Sequence, residues 1–269
     1  VNGVRLAYAV HEQGEPILFL PGTGMVKEAW LAGPAPALAE AGYQVVLVDN
    51  RGVGGSDAPP APYAVSDLAT DAAGLIEQLG AGRCRLVGYS LGGFVAELLA
   101  AERPDPVRAA ALAGSAGPPT ACARFGFEAE VETARQGIDL PQRKQVADLL
   151  AAILTPAQRQ DDALVQTVTE AMLAGSPWGD PGRQGQFAAD VGWCAQYAAT
   201  HAVRWAEIPV PVLAVAFEQD VVCRPAGARQ LTQAVAGAEL TVIPGSGHRG
   251  TLTHAAEVAE VLLKFFAKN

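Results

Sequence analysis

Cysteine is scarce in this chain of 269 residues, with four (Cys84, Cys122, Cys194 and Cys223) spread too far apart for a CxxC spacing. That excludes a disulfide-stapled scaffold and the common thiolate zinc motifs, and no metal is expected. Scattered thiols are the pattern of a cytoplasmic protein. The opening residues 1–6 likewise have neither the basic nor the apolar region of a secretory signal. Positive charge is also sparse, at 19 Lys and Arg against 28 Asp and Glu, a formal net charge of −9. Without a basic cluster the chain lacks the electrostatic footprint of a nucleic-acid binder, and its acidity opposes docking on anionic membranes. No apolar run approaches the roughly 18 residues that span a bilayer. Histidine is limited to His11, His201, His248 and His254, so few side chains can serve as a neutral-pH base.

What is present is apolar sequence, 50% of the chain, enough for a substantial core. Short continuous apolar runs at 17–20, 45–48 and 85–88, each stopped by turn residues, read as central strands covered on both faces. An alternating stretch at 4–10 reads as an early antiparallel strand. Helical patterns fall between the runs, at 30–41, 65–79 and 91–103, the last stopped by Pro104. After 109–113 the alternation breaks, and 118–205 reads as helices punctuated by Gly and Pro. It resumes with strands at 210–217 and 240–243 and helices at 226–235 and 255–266. The expected fold class is therefore α/β, a mostly parallel central sheet with helices on both faces and a helical cap insertion. The core domain is 1–117 with 206–269, and the cap is 118–205. In open sheets of this kind ligands bind at the carboxyl ends of the strands, where Pro21-Gly22, Asp49 and Ser90 fall.

Gly88-Tyr89-Ser90-Leu91-Gly92 matches G-x-S-x-G between a strand and a helix. The chemistry needs that context: a sharp turn exposes the serine hydroxyl, and the amide of Leu91 opens the helix toward the reacting oxygen. A base is expected late in the chain, and His248 sits in the glycine-flanked Gly245-Ser246-Gly247-His248, with His254 its rival. An acid is expected after the 210–217 strand, where Asp220 is preferred over Glu218. A second amide donor is expected from Pro21-Gly22-Thr23-Gly24. Proline has no N–H, so Thr23 is the first choice and Gly24 the second. Gly24 and Met25 in that loop, and Trp178 and Trp193 in the cap, are candidate substrate-binding residues. The aromatic pair has an alternative reading as internal packing.

Leu20-Pro21-Gly22, Asp49-Asn50-Arg51-Gly52-Val53-Gly54-Gly55-Ser56-Asp57, Gly88-Tyr89-Ser90-Leu91-Gly92-Gly93, Phe217-Glu218-Gln219-Asp220 and Gly247-His248 together resemble the α/β-hydrolase superfamily. The likeness is to the branch of esterases, cofactor-free haloperoxidase-like enzymes and carbon–carbon bond hydrolases. It implies a nucleophile at Ser90, a base at His248, an acid at Asp220, oxyanion donors at Thr23 and Leu91, and a structural role for Arg51. It departs from the family where Pro21 replaces the usual histidine and Phe217 the usual glycine. The resemblance skips the cap. It implies hydrolysis of an ester, lactone or related acyl bond of a small molecule, with no cofactor, by a monomer or homodimer. The alternatives are a thioesterase, cyclase or carbon–carbon hydrolase of a biosynthetic intermediate, and a ligand-binding protein with a vestigial triad.

Overall fold

A computed structural model of the protein describes residues 1–173, 181–197 and 204–269. The apolar runs become strands β1 (Tyr8–His11), β2 (Pro16–Leu20), β3 (Gln44–Val48), β4 (Cys84–Tyr89), β5 (Val107–Ala113), β6 (Val212–Phe217) and β7 (Glu239–Ile243). They form one sheet in the order β1-β3-β2-β4-β5-β6-β7, in which only the pairing of β1 with β3 is antiparallel. The register pairs Leu20 with Gly88, Tyr89 with Ala113, and Phe217 with Ile243. The carboxyl ends of β2, β4, β5, β6 and β7 therefore share one edge, and the loops after them meet there.

Helices α1 (Ala35–Glu40), α2 (Val65–Gln78), α3 (Leu91–Glu102), α8 (Pro225–Ala234) and α9 (Ala255–Phe266) cover the two faces. On one face α2 presents Val65, Leu68, Ala72, Leu75 and Ile76 to the sheet, and α3 adds Phe94, Val95 and Leu99. On the other, Trp30 joins Leu38 of α1 and Val258, Leu262, Phe265 and Phe266 of α9. That spacing of three and four residues is what an amphipathic helix needs to bury a stripe. Truncating one such leucine to alanine costs about 2–5 kcal/mol.

Two predicted elements shift. Pairing begins at Tyr8 rather than Val4, because the backbone before it is held elsewhere. The Arg5 amide donates to Asp57 and the Ala7 amide to Ser56. The helix expected over 30–41 is broken into a 3-10 segment, Lys27–Ala32, and the short α1, with Gly33 and Pro34 between them. Proline has no N–H to continue the first and a fixed φ that suits the start of the second.

Between β5 and β6 the chain forms α4 (Ala121–Arg135), α5 (Gln142–Ile153), α6 (Asp162–Leu173) and α7 (Gly182–Gln196), with no strand among the described residues. Helix α7 packs on α4 and α2, and Trp193 lies flat on Phe94 of α3, ring centres 5.2 Å apart. No helix among the described residues is long and apolar enough to cross a membrane.

Helix α3 is buried nearly all round, and its Glu97 is buried with it, accepting a 2.7 Å hydrogen bond from the Trp205 indole. Burial pushes the Glu97 carboxyl up from 4.5 to about 8. The folded chain therefore keeps a proton that the unfolded chain releases. This contribution to stability is complete below pH 4.5 and is lost as pH rises through about 8. Glu97→Gln retains an acceptor for Trp205 without the charge. Thermal unfolding of this variant should fall less steeply than wild type across that window and be the more stable at its alkaline end; parallel curves would remove Glu97 from the linkage.

Candidate active site

At the end of β4 the chain turns into α3 within one residue. Ser90 has φ 51° and ψ −120°, a left-handed conformation that costs a non-glycine residue on the order of 1–3 kcal/mol. Crowding leaves little choice. A methyl on Gly92 would overlap the carbonyl oxygen of Leu20, and one on Gly88 the carbonyl oxygen of Gly92. The Ser90 amide donates to Ala113 of β5 at 3.1 Å, and the Ser90 carbonyl accepts from Gly93 and Phe94. Leu91, the first helical residue, has no carbonyl one turn behind it to take its amide. That N–H and the positive end of the α3 dipole point out of the helix beside the serine.

The loop after β7 brings a base to this turn. His248 Nε2 lies 3.1 Å from Ser90 Oγ, and His248 Nδ1 lies 2.7 Å from Asp220 Oδ2. A carboxylate only accepts, so Nδ1 donates to it and Nε2 is left to accept from the hydroxyl. Asp220 is fully buried, and its Oδ1 also accepts from the Val222 and Cys223 amides at 2.8 and 2.9 Å. Glu218 faces the other way: its carboxylate accepts the Gly245 amide at 2.7 Å and so holds the histidine loop at its base. Ser246 reinforces that hold, its carbonyl accepting from Gln219. His254 stands at the N-terminal boundary of α9 and its ring pairs with Thr253, whereas Ser90 and Asp220 pair with His248. Cys223 sits three residues beyond Asp220, but burial and the neighbouring carboxylates raise its thiol well above the ordinary value. A thiol held protonated is not a rival nucleophile.

The loop after β2 closes over the serine, since a methyl on Gly22 would come within 3.2 Å of Ser90 Cβ. Asn50 donates to the Pro21 carbonyl at 3.1 Å from the loop after β3. Gly24 is not a free donor, because its amide is bonded at 2.8 Å to Gln186 Oε1. The Met25 amide is bonded to Gly22, and its sulfur accepts from Arg249 at 3.2 Å. Trp193 is buried between Phe94 and Tyr197 as part of the main core. Trp178 lies outside the described residues. Arg51 makes a buried two-pronged ion pair with Asp71, 2.6 Å at each contact, which ties the loop after β3 to α2.

Sequence reasoning passed over Gln186 and Asp190, both fully buried on α7 and both bonded to the loop after β2. Their one signal was a polar pair four residues apart in the stretch from Gln186 to Trp193, a spacing that puts two side chains on one helix face. Taken together, the edge holds a hydroxyl in reach of an imidazole, an imidazole oriented by a carboxylate, and the N-terminus of a helix that starts at the next residue.

The family model described as "alpha/beta hydrolase fold" matches residues 15–255. A Mycobacterium tuberculosis protein named "Putative non-heme bromoperoxidase BpoC" is 29% identical over 267 residues, 98% of each chain. Its crystal structure superposes with a TM-score of 0.87 over 98% of this chain and 96% of that one. "Putative carbamate hydrolase RutD" from Variovorax paradoxus is also 29% identical, over 98% of this chain and 96% of its own. An enol-lactonase structure from Burkholderia xenovorans, 24% identical, shares the fold with a TM-score of 0.84 over 99% of this chain and 98% of that one.

The close approach of α3 to β2 is testable apart from any activity. Gly92→Ala sets a methyl against backbone carbonyls of Leu20 and Pro21, which cannot give way without moving a central strand. The variant should lose about 1–3 kcal/mol in denaturant unfolding; an unchanged midpoint would mean that helix and strand stand farther apart.

Proposed function

The chain belongs to the alpha/beta hydrolase fold family, and from that premise we propose that it is a serine hydrolase cleaving the ester, lactone or related acyl bond of a small to medium molecule through an acyl-enzyme on Ser90. The observation that carries this reading is the unbroken relay from Ser90 Oγ through both nitrogens of His248 to Asp220.

In the proposed cycle His248 Nε2 takes the proton of Ser90 as Oγ attacks the acyl carbon, and the carbonyl electron pair moves onto oxygen. The amides of Leu91 and Thr23 donate to that oxyanion. Pro21 has no amide hydrogen, and the amides of Gly24 and Met25 are bonded within the protein. That removes Gly24, the other candidate, and supports Thr23 over it as the second donor. Collapse expels the alkoxide, which His248 protonates; water then attacks the acyl carbon with its proton passing to His248, and the acid leaves. Asp220 keeps the imidazole in the tautomer that can do this and stabilises its charged form. The inserted helices α4–α7 act as the cap that selects the acyl group.

The test is a chromogenic ester series of increasing acyl length. Turnover should peak at one length and fall at least about 1000-fold in Ser90→Ala. Asp220→Asn should lower kcat by about 100- to 10,000-fold, since it presents the wrong partner to Nδ1. Glu218→Gln, which alters only the hold on Gly245, should lose far less. Normal turnover in Ser90→Ala would end the assignment of the nucleophile, and the reverse ranking of the two acids would move that role to Glu218. The name of the full-length Mycobacterium tuberculosis relative favours one second reading, peroxide-dependent bromination. Bromination by wild type without ester turnover would select it.

A further inference from the structure

The loop after β2 lies against Ser90, and one helix of the insertion reaches that loop. Helix α7 reaches the loop after β2 with two side chains one helical turn apart. Gln186 accepts the Gly24 amide through Oε1 at 2.8 Å and donates through Nε2 to the Arg51 carbonyl at 2.8 Å. Asp190 accepts the Thr23 hydroxyl at 2.6 Å. Buried polar side chains are kept in proteins where their partners are satisfied, because an unpaired one is costly. Among the described residues the hydrogen bonds of these two run to Thr23, Gly24 and Arg51, in the loops after β2 and β3, and none to the neighbouring cap helices.

We propose that Gln186 and Asp190 are positioning residues, through which α7 holds Gly22–Met25 in the conformation that leaves the Thr23 amide free to meet a developing oxyanion. The proposal rests on the acyl-enzyme reading above. Its logic is one of exclusion. With Gly24 N–H committed to Gln186, that amide cannot compete for the oxyanion. With the Thr23 hydroxyl committed to Asp190, the Thr23 side chain is anchored to α7 and its residue is restrained from turning away. The donors are then placed before substrate arrives, which is what makes such a site effective. It also couples the cap to the chemistry: a change in the seating of α7 reaches the oxyanion donor through two hydrogen bonds. Burial pushes the Asp190 carboxyl up from 3.8 to about 7, opposed by the Thr23 hydrogen bond. An asparagine at this position keeps an acceptor for Thr23 and removes an ionisation that burial disfavours.

The experiment measures kcat and KM on the best ester of the series for wild type, Asp190→Ala, Asp190→Asn, Thr23→Val and the double variant Thr23→Val with Asp190→Ala, each normalised to fluorophosphonate-titrated Ser90. Asp190→Ala should lower kcat about 10- to 100-fold with KM little changed, the size expected when a reacting group is misplaced rather than removed. Asp190→Asn should restore most of that loss. The double variant should be no slower than the slower single one, since both remove the same bond. The proposal is overturned if kcat in Asp190→Ala stays within about twofold of wild type, if asparagine rescues nothing, or if the two single losses multiply. Should Asp190→Ala fail to fold, Thr23→Val breaks the bond from the other side and carries the same comparison. Failure of the underlying reading looks different: turnover would then survive in Ser90→Ala whatever stands at position 190.

Discussion

The turn from β4 into α3 works only while Ser90 stays in a backbone conformation that it would not adopt alone. At φ 51° the residue is strained, and nothing within the turn relieves it. What holds it is the neighbourhood: a hydrogen bond from its amide to β5, the first turn of α3 closing on its carbonyl, and a helix pressed so near β2 that position 92 has no room for a side chain. These contacts belong to two separate strands and a helix. The strain is therefore supported by the sheet as a whole, and the parallel register that aligns Leu20, Gly88 and Leu112 is as much part of the site as the serine is. A marginally stable fold tolerates a cost of this size only where many packed groups oppose its relaxation.

The same register explains how much could be read in advance. Central strands announce themselves as short apolar runs, and the motif Gly88-Tyr89-Ser90-Leu91-Gly92 is local, so the strand, the turn and the helix were all legible in one stretch. The histidine was legible by elimination among four. The two acids were harder, because Glu218 and Asp220 follow the same strand two residues apart and only coordinates show which of them turns inward. It is the loop hydrogen bonds, Glu218 to Gly245 and Asp220 to Val222 and Cys223, that send them in opposite directions. The two misplaced elements failed for a related reason. The alternation at 4–10 is genuine, but side chains from residues 56 and 57 claim the backbone of its first half. The helical pattern over 30–41 is genuine too, but Pro34 divides it.

Gln186 and Asp190 left no more trace in the sequence than their spacing of four. Each makes its contact more than 130 residues away in sequence, and the helix that carries them shows no motif. A buried polar residue on an amphipathic helix looks, in sequence, like any residue on its wet face. Only the fold distinguishes the two, by placing one of those faces against another segment's unsatisfied amides.

This has a consequence for how insertion and sheet domain divide the work. A cap that merely covered the serine could be exchanged without touching the chemistry, since its contacts would be apolar and forgiving of small shifts. Hydrogen bonds are not forgiving in that way: their strength falls steeply with distance and angle, and the bonds from α7 end on the loop that lies against Ser90. Trp193 stacked on Phe94 supplies the apolar seat, and Gln186 and Asp190 supply the register. The apolar contact tolerates a slide along the helix axis; the polar ones do not. In this chain the insertion is thus fastened to the sheet domain at the loop beside Ser90, so that in the proposed reaction the seating of the cap and the geometry of the oxyanion donors would depend on one set of contacts.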